Sequence, residues 1–312
     1  MNLITKISGI EQLDRNVENR LTQVSSIEYV ILESDKDVKE ALQNCDVFWF
    51  RLNHKLTREI LKTARCKYIL CAVTGLDHID LKACEEFGIT VISLKNEFEF
   101  LKEVRATAEH TWGLLLTLIR KTDKAITHVE NGIWDRTLFQ GSELYKKKIG
   151  ILGLGRLGEI VAGYAHAFGM QVFYFDTKEK QTSKHFKKCD TVKEMLQEVD
   201  VLSIHLPYNE ENHEIIDTSY FETMKKGMLI VNTSRGGLIL EEDLVNSMQN
   251  NIVSGYASDV LFGEPEITTN PIFQYAKKHK NIILTPHIGG NTHESIEKTE
   301  EFILEKFLKF LS

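Results

Sequence analysis

The hexapeptide Gly153-Leu154-Gly155-Arg156-Leu157-Gly158 constrains this chain more than any other segment. It follows the apolar run Ile149-Gly150-Ile151-Leu152 and stands near the middle of 312 residues. A strand before it and a helical stretch after it, from Glu159 to Ala165, turn a glycine cluster into a dinucleotide-binding fingerprint. Gly153 would permit the tight turn, Gly155 the approach of backbone amides to a pyrophosphate, and Gly158 the close packing of helix on strand. Such a unit normally begins with this strand, so the residues ahead of it predict a second domain.

The length fits two domains at roughly 150 residues each, and 42% apolar residues suffice for two packed cores. A net charge of −7 argues against a nucleic-acid surface, and the basic stretches Lys146-Lys147-Lys148 and Lys277-Lys278 read as solvated edges. No apolar stretch reaches the roughly 18 residues of a membrane span, and no basic segment followed by a long apolar one opens the chain; a soluble, cytoplasmic protein is expected. Cys45, Cys66, Cys71, Cys84 and Cys189 lack metal-like spacing, so buried reduced thiols and no metal site are expected.

In the first half, Tyr29-Val30-Ile31-Leu32, Val47-Phe48-Trp49-Phe50, residues 68–73 and Thr90-Val91-Ile92 read as continuous apolar strands separated by helical segments, the pattern of a parallel sheet covered on both faces. Residues 103–121 predict a long connecting helix. From residue 148 the alternation restarts, with strands expected at 149–152, 172–175, 201–205, 228–232, 252–257 and 282–284, enough for a doubly wound sheet. Residues 291–312 then predict an amphipathic helix left over after the sheet is complete.

Asp176 ends the strand after the fingerprint, where a carboxylate would accept hydrogen bonds from an adenosine ribose and repel a 2′-phosphate; this favours NAD over NADP. Arg156, within the turn, could contact the pyrophosphate. Three later segments each begin at a predicted strand end: Asn232-Thr233-Ser234-Arg235-Gly236-Gly237, Ser258-Asp259-Val260-Leu261-Phe262-Gly263-Glu264-Pro265, and Thr285-Pro286-His287-Ile288-Gly289-Gly290. Ligands of open α/β sheets bind beyond the carboxyl ends of the strands, so these loops can converge on one crevice with the glycine turn. Arg235 offers a planar fork of donors for a carboxylate and a carbonyl. Histidine is the natural acid and base near neutral pH, which suits His287 to proton transfer. Glu264 could hold the other imidazole nitrogen and fix its tautomer.

In these segments, from about residue 45 to 300, the chain resembles the D-isomer-specific 2-hydroxyacid dehydrogenases, including the phosphoglycerate dehydrogenases. The resemblance implies a Rossmann NAD-binding domain inserted into a flavodoxin-like α/β substrate domain, here residues 99–288 within 1–98 plus 289–312, and a cleft closing between them. It implies Arg235, Glu264 and His287 as catalytic residues. Cofactor contacts would come from Gly153, Gly155, Arg156, Leu157, Gly158, Asp176, His205, Pro207, Thr233, Arg235, Asp259, His287 and Gly289. Substrate contacts would come from Thr74, Gly75 and Leu76, with Arg235, His287 and Arg51, a position where phosphoglycerate-using relatives often carry an arginine. A homodimer through the NAD-binding domain is implied as well, and the short stretch after the last helix leaves no room for a C-terminal regulatory domain.

The expected activity is hydride transfer between NAD and a small D-2-hydroxy or 2-keto acid such as 3-phosphoglycerate, glyoxylate, hydroxypyruvate or lactate. Two rivals share the fold: an NADH-binding regulatory protein of the corepressor type, and a dehydrogenase acting on phosphite. The glutamate at 264 weighs against formate dehydrogenases, for which the resemblance implies glutamine. Phe262-Gly263, Ser258 and His213 depart from the commonest family choices without removing a catalytic group.

Overall fold

A computed structural model describes residues 3–312. The chain divides into two compact units, Met1–Val104 with Asn291–Ser312, and Arg105–Gly290. The divisions lie a few residues beyond the expected 98/99 and 288/289. Phe98–Leu101 is a short helix whose Leu101 is buried in the first unit's core, which carries that unit past residue 98.

The first unit is built on five parallel strands, β1 (Leu3–Ser8), β2 (Ser25–Val30), β3 (Val47–Phe50), β4 (Tyr68–Cys71) and β5 (Thr90–Ser93), in the order β2-β1-β3-β4-β5. That is the flavodoxin-like order. All four residues of β3 are buried, as a strand covered on both faces requires. One face packs against Leu42, Ile60, Leu61 and Cys84. The other packs against Leu21 and the helix His293–Leu311, whose Ile303, Leu304 and Phe307 are fully buried. Each such side chain contributes about 1.5–3 kcal/mol of burial, so the helix left over in sequence is integral to this core.

One expected strand shifts here and one strand is added. The run at Tyr29 does not continue as strand: β2 ends at Val30, and Ile31 is 91% exposed. β1 escapes the apolar-run criterion because Thr5 and Lys6 interrupt it. Thr5 is nonetheless fully buried, its hydroxyl paired with that of Ser25 at 2.6 Å.

The second unit carries seven parallel strands: β6 (Lys148–Leu152), β7 (Gln171–Phe175), β8 (Phe186–Lys188), β9 (Val201–Ile204), β10 (Met228–Asn232), β11 (Val253–Ser258) and β12 (Ile282–Leu284). Their order is β12-β11-β10-β9-β6-β7-β8, the doubly wound Rossmann arrangement, with the direction of winding reversing between β6 and β9. The additional strand is β8, a short Phe-Lys-Lys edge without an apolar run to announce it. The connecting helix runs over Ala106–Arg120 and stops at Lys121, which adopts a left-handed conformation with φ 55°. A second helix missed in sequence, Thr122–Glu130, follows at once and buries none of its residues.

Candidate active site

Every loop that carries a candidate residue of the second unit leaves the carboxyl end of a strand. After β6, Gly153 turns with φ 91°, and a Cβ there would lie 2.7 Å from the His205 carbonyl oxygen. Gly158 sits so close to β6 that a Cβ would meet the Gly153 carbonyl oxygen at 2.2 Å. Gly155 differs: a Cβ there would meet nothing within 4 Å. It is also the N-cap of the helix Arg156–Ala167 and supplies no side-chain acceptor to the first-turn amides. An uncapped helix N-terminus beside open space suits a phosphate group. Leu157 is half-buried on this helix, and burial lowers the pKa of the Arg156 guanidinium.

Asp176 follows β7, and its two oxygens accept from the amides of Leu154 at 2.9 Å and Lys178 at 2.8 Å. The carboxylate is thereby fixed beside the glycine turn with lone pairs left to accept hydroxyl donors. Lys180 approaches it to 3.6 Å. His205 follows β9, with Nε2 against Ser203 Oγ at 2.8 Å and Nδ1 buried without a partner. Burial pulls its pKa down to about 4, which keeps it neutral and unsuited to acid catalysis at neutral pH. Pro207 is exposed, and its carbonyl accepts from Asn212.

The loops after β10, β11 and β12 interlock. Asn232, fully buried, donates to the Arg235 carbonyl at 2.9 Å and accepts from the Ser234 amide at 3.0 Å. The Arg235 guanidinium donates to the Ser234 carbonyl at 2.8 Å. Thr233 is tied to Thr111 of the connecting helix, hydroxyl to hydroxyl at 2.7 Å. A Cβ on Gly236 would fall 2.1 Å from the backbone of Leu261 and Phe262, so the arginine loop lies directly against the loop that carries Glu264. Glu264 Oε1 meets His287 Nδ1 at 2.8 Å, leaving Nε2 as the other titratable nitrogen of the ring. His287 has φ 55°, a conformation uncommon outside glycine. Its amide donates to the Asp259 and Thr285 carbonyls, which hold it there.

Asp259 is the hub of this loop. Its carboxylate accepts from Thr285 Oγ1 at 2.6 Å and from the amides of Ile288 and Gly289 at 2.9 and 2.7 Å, and lies 3.2 Å from His110 Nε2. Burial alone would raise its pKa; the hydrogen bonds from His110, Thr285 and the two amides outweigh it and hold the carboxyl below its ordinary value. A Cβ on Gly289 would press on the same carboxylate at 3.0 Å.

The first-unit candidates are differently engaged. Arg51 Nη2 lies 2.7 Å from Oε1 of the fully buried Glu300, whose second oxygen accepts from the Asp14 amide at 3.0 Å. In the loop after β4, Thr74 is exposed, Gly75 half-buried, and Leu76 buried in the core beneath. Three site residues carried no sequence signal: His110, Glu241 and Asn270 act through contacts with distant segments that no local pattern encodes.

A family model described as the NAD-binding domain of D-isomer-specific 2-hydroxyacid dehydrogenases matches residues 112–289. The hydroxypyruvate reductase of Thermotoga maritima is 31% identical over 96% of this chain and 96% of its own length. The D-3-phosphoglycerate dehydrogenase of Methanocaldococcus jannaschii is 31% identical over 99% of this chain but 58% of its own length. The chain spans about half the length of several such dehydrogenases that it matches. Among solved structures, D-lactate dehydrogenase from Aquifex aeolicus, complexed with NAD and lactic acid, superposes with TM-score 0.82 at 27% identity, covering 98% of this chain and 95% of the other. An acyclic imino acid reductase in complex with NADPH and D-Arg gives 0.83 at 27% identity, covering 99% and 96%.

Proposed function

Because the chain belongs to the D-isomer-specific 2-hydroxyacid dehydrogenase family, we propose that it interconverts a small D-2-hydroxy acid and its 2-keto acid by hydride transfer. The carrying observation is the 2.8 Å contact between His287 Nδ1 and Glu264 on a loop interlocked with that of Arg235. NAD(H), when bound, supplies or accepts the hydride at its nicotinamide ring. Gly155 and the uncapped helix N-terminus would hold its pyrophosphate and Asp176 its ribose, both consistent with the open space and the fixed carboxylate there.

Glu264 accepts the Nδ1 proton of His287 and thereby sets the tautomer and the ring plane. Nε2 of His287 then gives a proton to the carbonyl oxygen during reduction and takes it back from the hydroxyl during oxidation. Arg235 grips the substrate carboxylate and polarises the carbonyl through charge-assisted hydrogen bonds of about 1.5–3 kcal/mol each. Asp259 contributes by fixing the loop from Thr285 to Gly289, which aims His287. The carboxylate of Asp176 favours NAD over NADP, since a 2′-phosphate would be repelled there.

A homodimer through this unit is part of the reading. Ile126, Val129, Ile133, Trp134 and Leu138 are exposed within one short stretch, and Trp134 is 91% exposed; a second copy would cover such a patch. We place the protein in the cytoplasm on its five buried, unpaired thiols. No helix among the described residues is long and apolar enough to cross a membrane.

The test is oxidation of NADH, followed by absorbance beside NADPH, with pyruvate, glyoxylate, hydroxypyruvate, 2-ketoglutarate and 3-phosphohydroxypyruvate. Turnover of at least one acid with NADH preferred is expected. NADH binding without turnover across the panel would overturn the reading in favour of a nucleotide-sensing role.

A further inference from the structure

Glu241 is a carboxylate that the proposed chemistry does not use. It opens the helix Glu241–Gln249, is 6% exposed, and accepts from the Phe262 amide at 2.9 Å through Oε1 and from Asn270 Nδ2 through Oε2. The same Asn270 amide also donates to the Phe262 carbonyl at 3.1 Å, so both polar groups of Phe262 are held by this pair. Phe262 lies two residues from Glu264, and its backbone is the one against which Gly236 packs. The clamp therefore sits where the Arg235 and Glu264 loops meet.

Asn270 cannot turn its amide around. Its Oδ1 caps the helix Pro271–Ala276, accepting from Ile272 and Phe273 at 2.9 and 3.1 Å, which leaves Nδ2 facing Glu241. Both oxygens of Glu241 thus face N–H donors. Two acceptor oxygens match these donors fully in the ionised form, and a proton on either oxygen weakens one of the two bonds.

We propose that Glu241 is a positioning residue whose ionised carboxylate holds the loop from Asp259 to Pro265 and keeps Glu264 seated on His287. The proposal rests on the reading of Glu264 and His287 given above. Burial pushes the Glu241 pKa up to about 7 against the hydrogen bonds from Phe262 and Asn270, and the nearby carboxyls of Glu242 and Glu214 raise it further. Tyr256 of β11 also lies near it, and the His213 ring lies 5.7 Å from that of Phe262. The clamp is consequently at full strength above neutral pH and weakened below it. Folding stability runs the other way: an acid whose folded pKa is raised contributes stability below its unfolded pKa, and that contribution is lost as pH rises through about 7.

Two measurements on the full chain test this. The first follows the Phe262 amide by NMR in protein labelled with 15N-phenylalanine, from pH 5.5 to 8.5. It titrates near neutrality in the wild type and does not in Glu241→Gln. The second is kcat for 2-keto acid reduction over the same range. In that direction His287 gives a proton to the keto oxygen, a step that added acid does not oppose, so an acid-side fall reports the clamp. Glu241→Gln, which sets an amide donor against the clamp, drops kcat by about tenfold to a hundredfold at pH 8 with KM for NADH unchanged, and its acid limb disappears. Asn270→Ser keeps an oxygen for the helix cap and removes one donor to Glu241, so the acid limb moves to higher pH. Glu241→Gln with wild-type kcat and limb, or Asn270→Ser with the limb unmoved, would overturn the proposal. Absence of turnover in the wild type would sink the dehydrogenase reading instead, and a Phe262 amide insensitive to pH would still sink the clamp.

Discussion

The two parallel sheets share an architecture but spend their buried polar groups differently. At the carboxyl ends of the first sheet, polar side chains close on their own fold: Arg51 on Glu300, and Ser8 on His54 at 2.7 Å with Asn53 against both. At the ends of the second, polar groups secure the loop backbones that carry the candidate residues. Asn232 holds the carbonyl of Arg235, Asp259 holds the amides after His287, and Glu241 holds Phe262 beside Glu264. A fold class places loops; among the contacts described, the buried partner fixes a backbone at the second sheet's ends and engages the charged side chain itself at Arg51.

The largest effect should come from the imidazole that Glu264 holds in the second sheet's loops. His287→Ala removes the proton donor and should lower kcat by about 10²–10⁴, while the unfolding midpoint and NADH affinity stay close to those of the wild type. Steady-state kinetics beside urea unfolding separate the two. Retained turnover would break the contrast, because His287 would then be only another loop anchor held at φ 55°.

Arg51 and Arg235 give the contrast its second test, since both follow a strand and the family resemblance implies substrate contact for both. Arg51→Ala strands the Glu300 carboxylate in the core and should cost about 3–5 kcal/mol of stability. Much of that should return in the double variant Arg51→Met, Glu300→Gln, in which the buried charge is gone. Arg235→Ala should fall in kcat/KM, measured beside the unfolding midpoint. A raised substrate KM for Arg51→Lys at unchanged stability would show that the first sheet's arginine also serves the ligand.

The same contrast explains what was legible in sequence. Continuous apolar runs announced β3, β4 and β6, because a strand buried on both faces leaves no room for polar residues. β1 and β8 escaped because a Thr–Ser hydroxyl pair and an exposed edge admit polar residues. The glycine turn, Asp176, Arg235, Glu264 and His287 stood out because their chemistry or conformation restricts the residue type. Glu241, Asn270 and His110 did not: a glutamate opening a helix and an asparagine capping one are ordinary helix signals, and only the tertiary contacts give them a second partner.

Asp176→Ala should weaken NADH binding by about 10–100-fold, the loss of one charge-assisted hydrogen bond of about 1.5–3 kcal/mol, and should weaken NADPH binding less. Fluorescence titration with both nucleotides measures it. Equal losses for the two would mean that the carboxylate serves only to brace the Leu154 amide.

The smallest expected effect isolates the difference between the sheets at a single helix end. Thr292 caps the helix His293–Leu311 through the Ser295 amide at 3.1 Å, whereas Gly155 leaves the helix Arg156–Ala167 without a side-chain cap. Thr292→Ala should therefore cost about 1 kcal/mol of stability and leave nucleotide binding unchanged. Gly155→Ser adds the missing cap at φ −79°, where a side chain is unstrained and a Cβ meets nothing within 4 Å, so stability should hold or rise slightly. NADH affinity should nevertheless fall, because the hydroxyl competes for the first-turn amides and fills the space a pyrophosphate needs. Calorimetric unfolding with and without NADH reads both quantities in one experiment. Stabilisation of Gly155→Ser by NADH equal to that of the wild type would mean that the pyrophosphate is held elsewhere than over this turn.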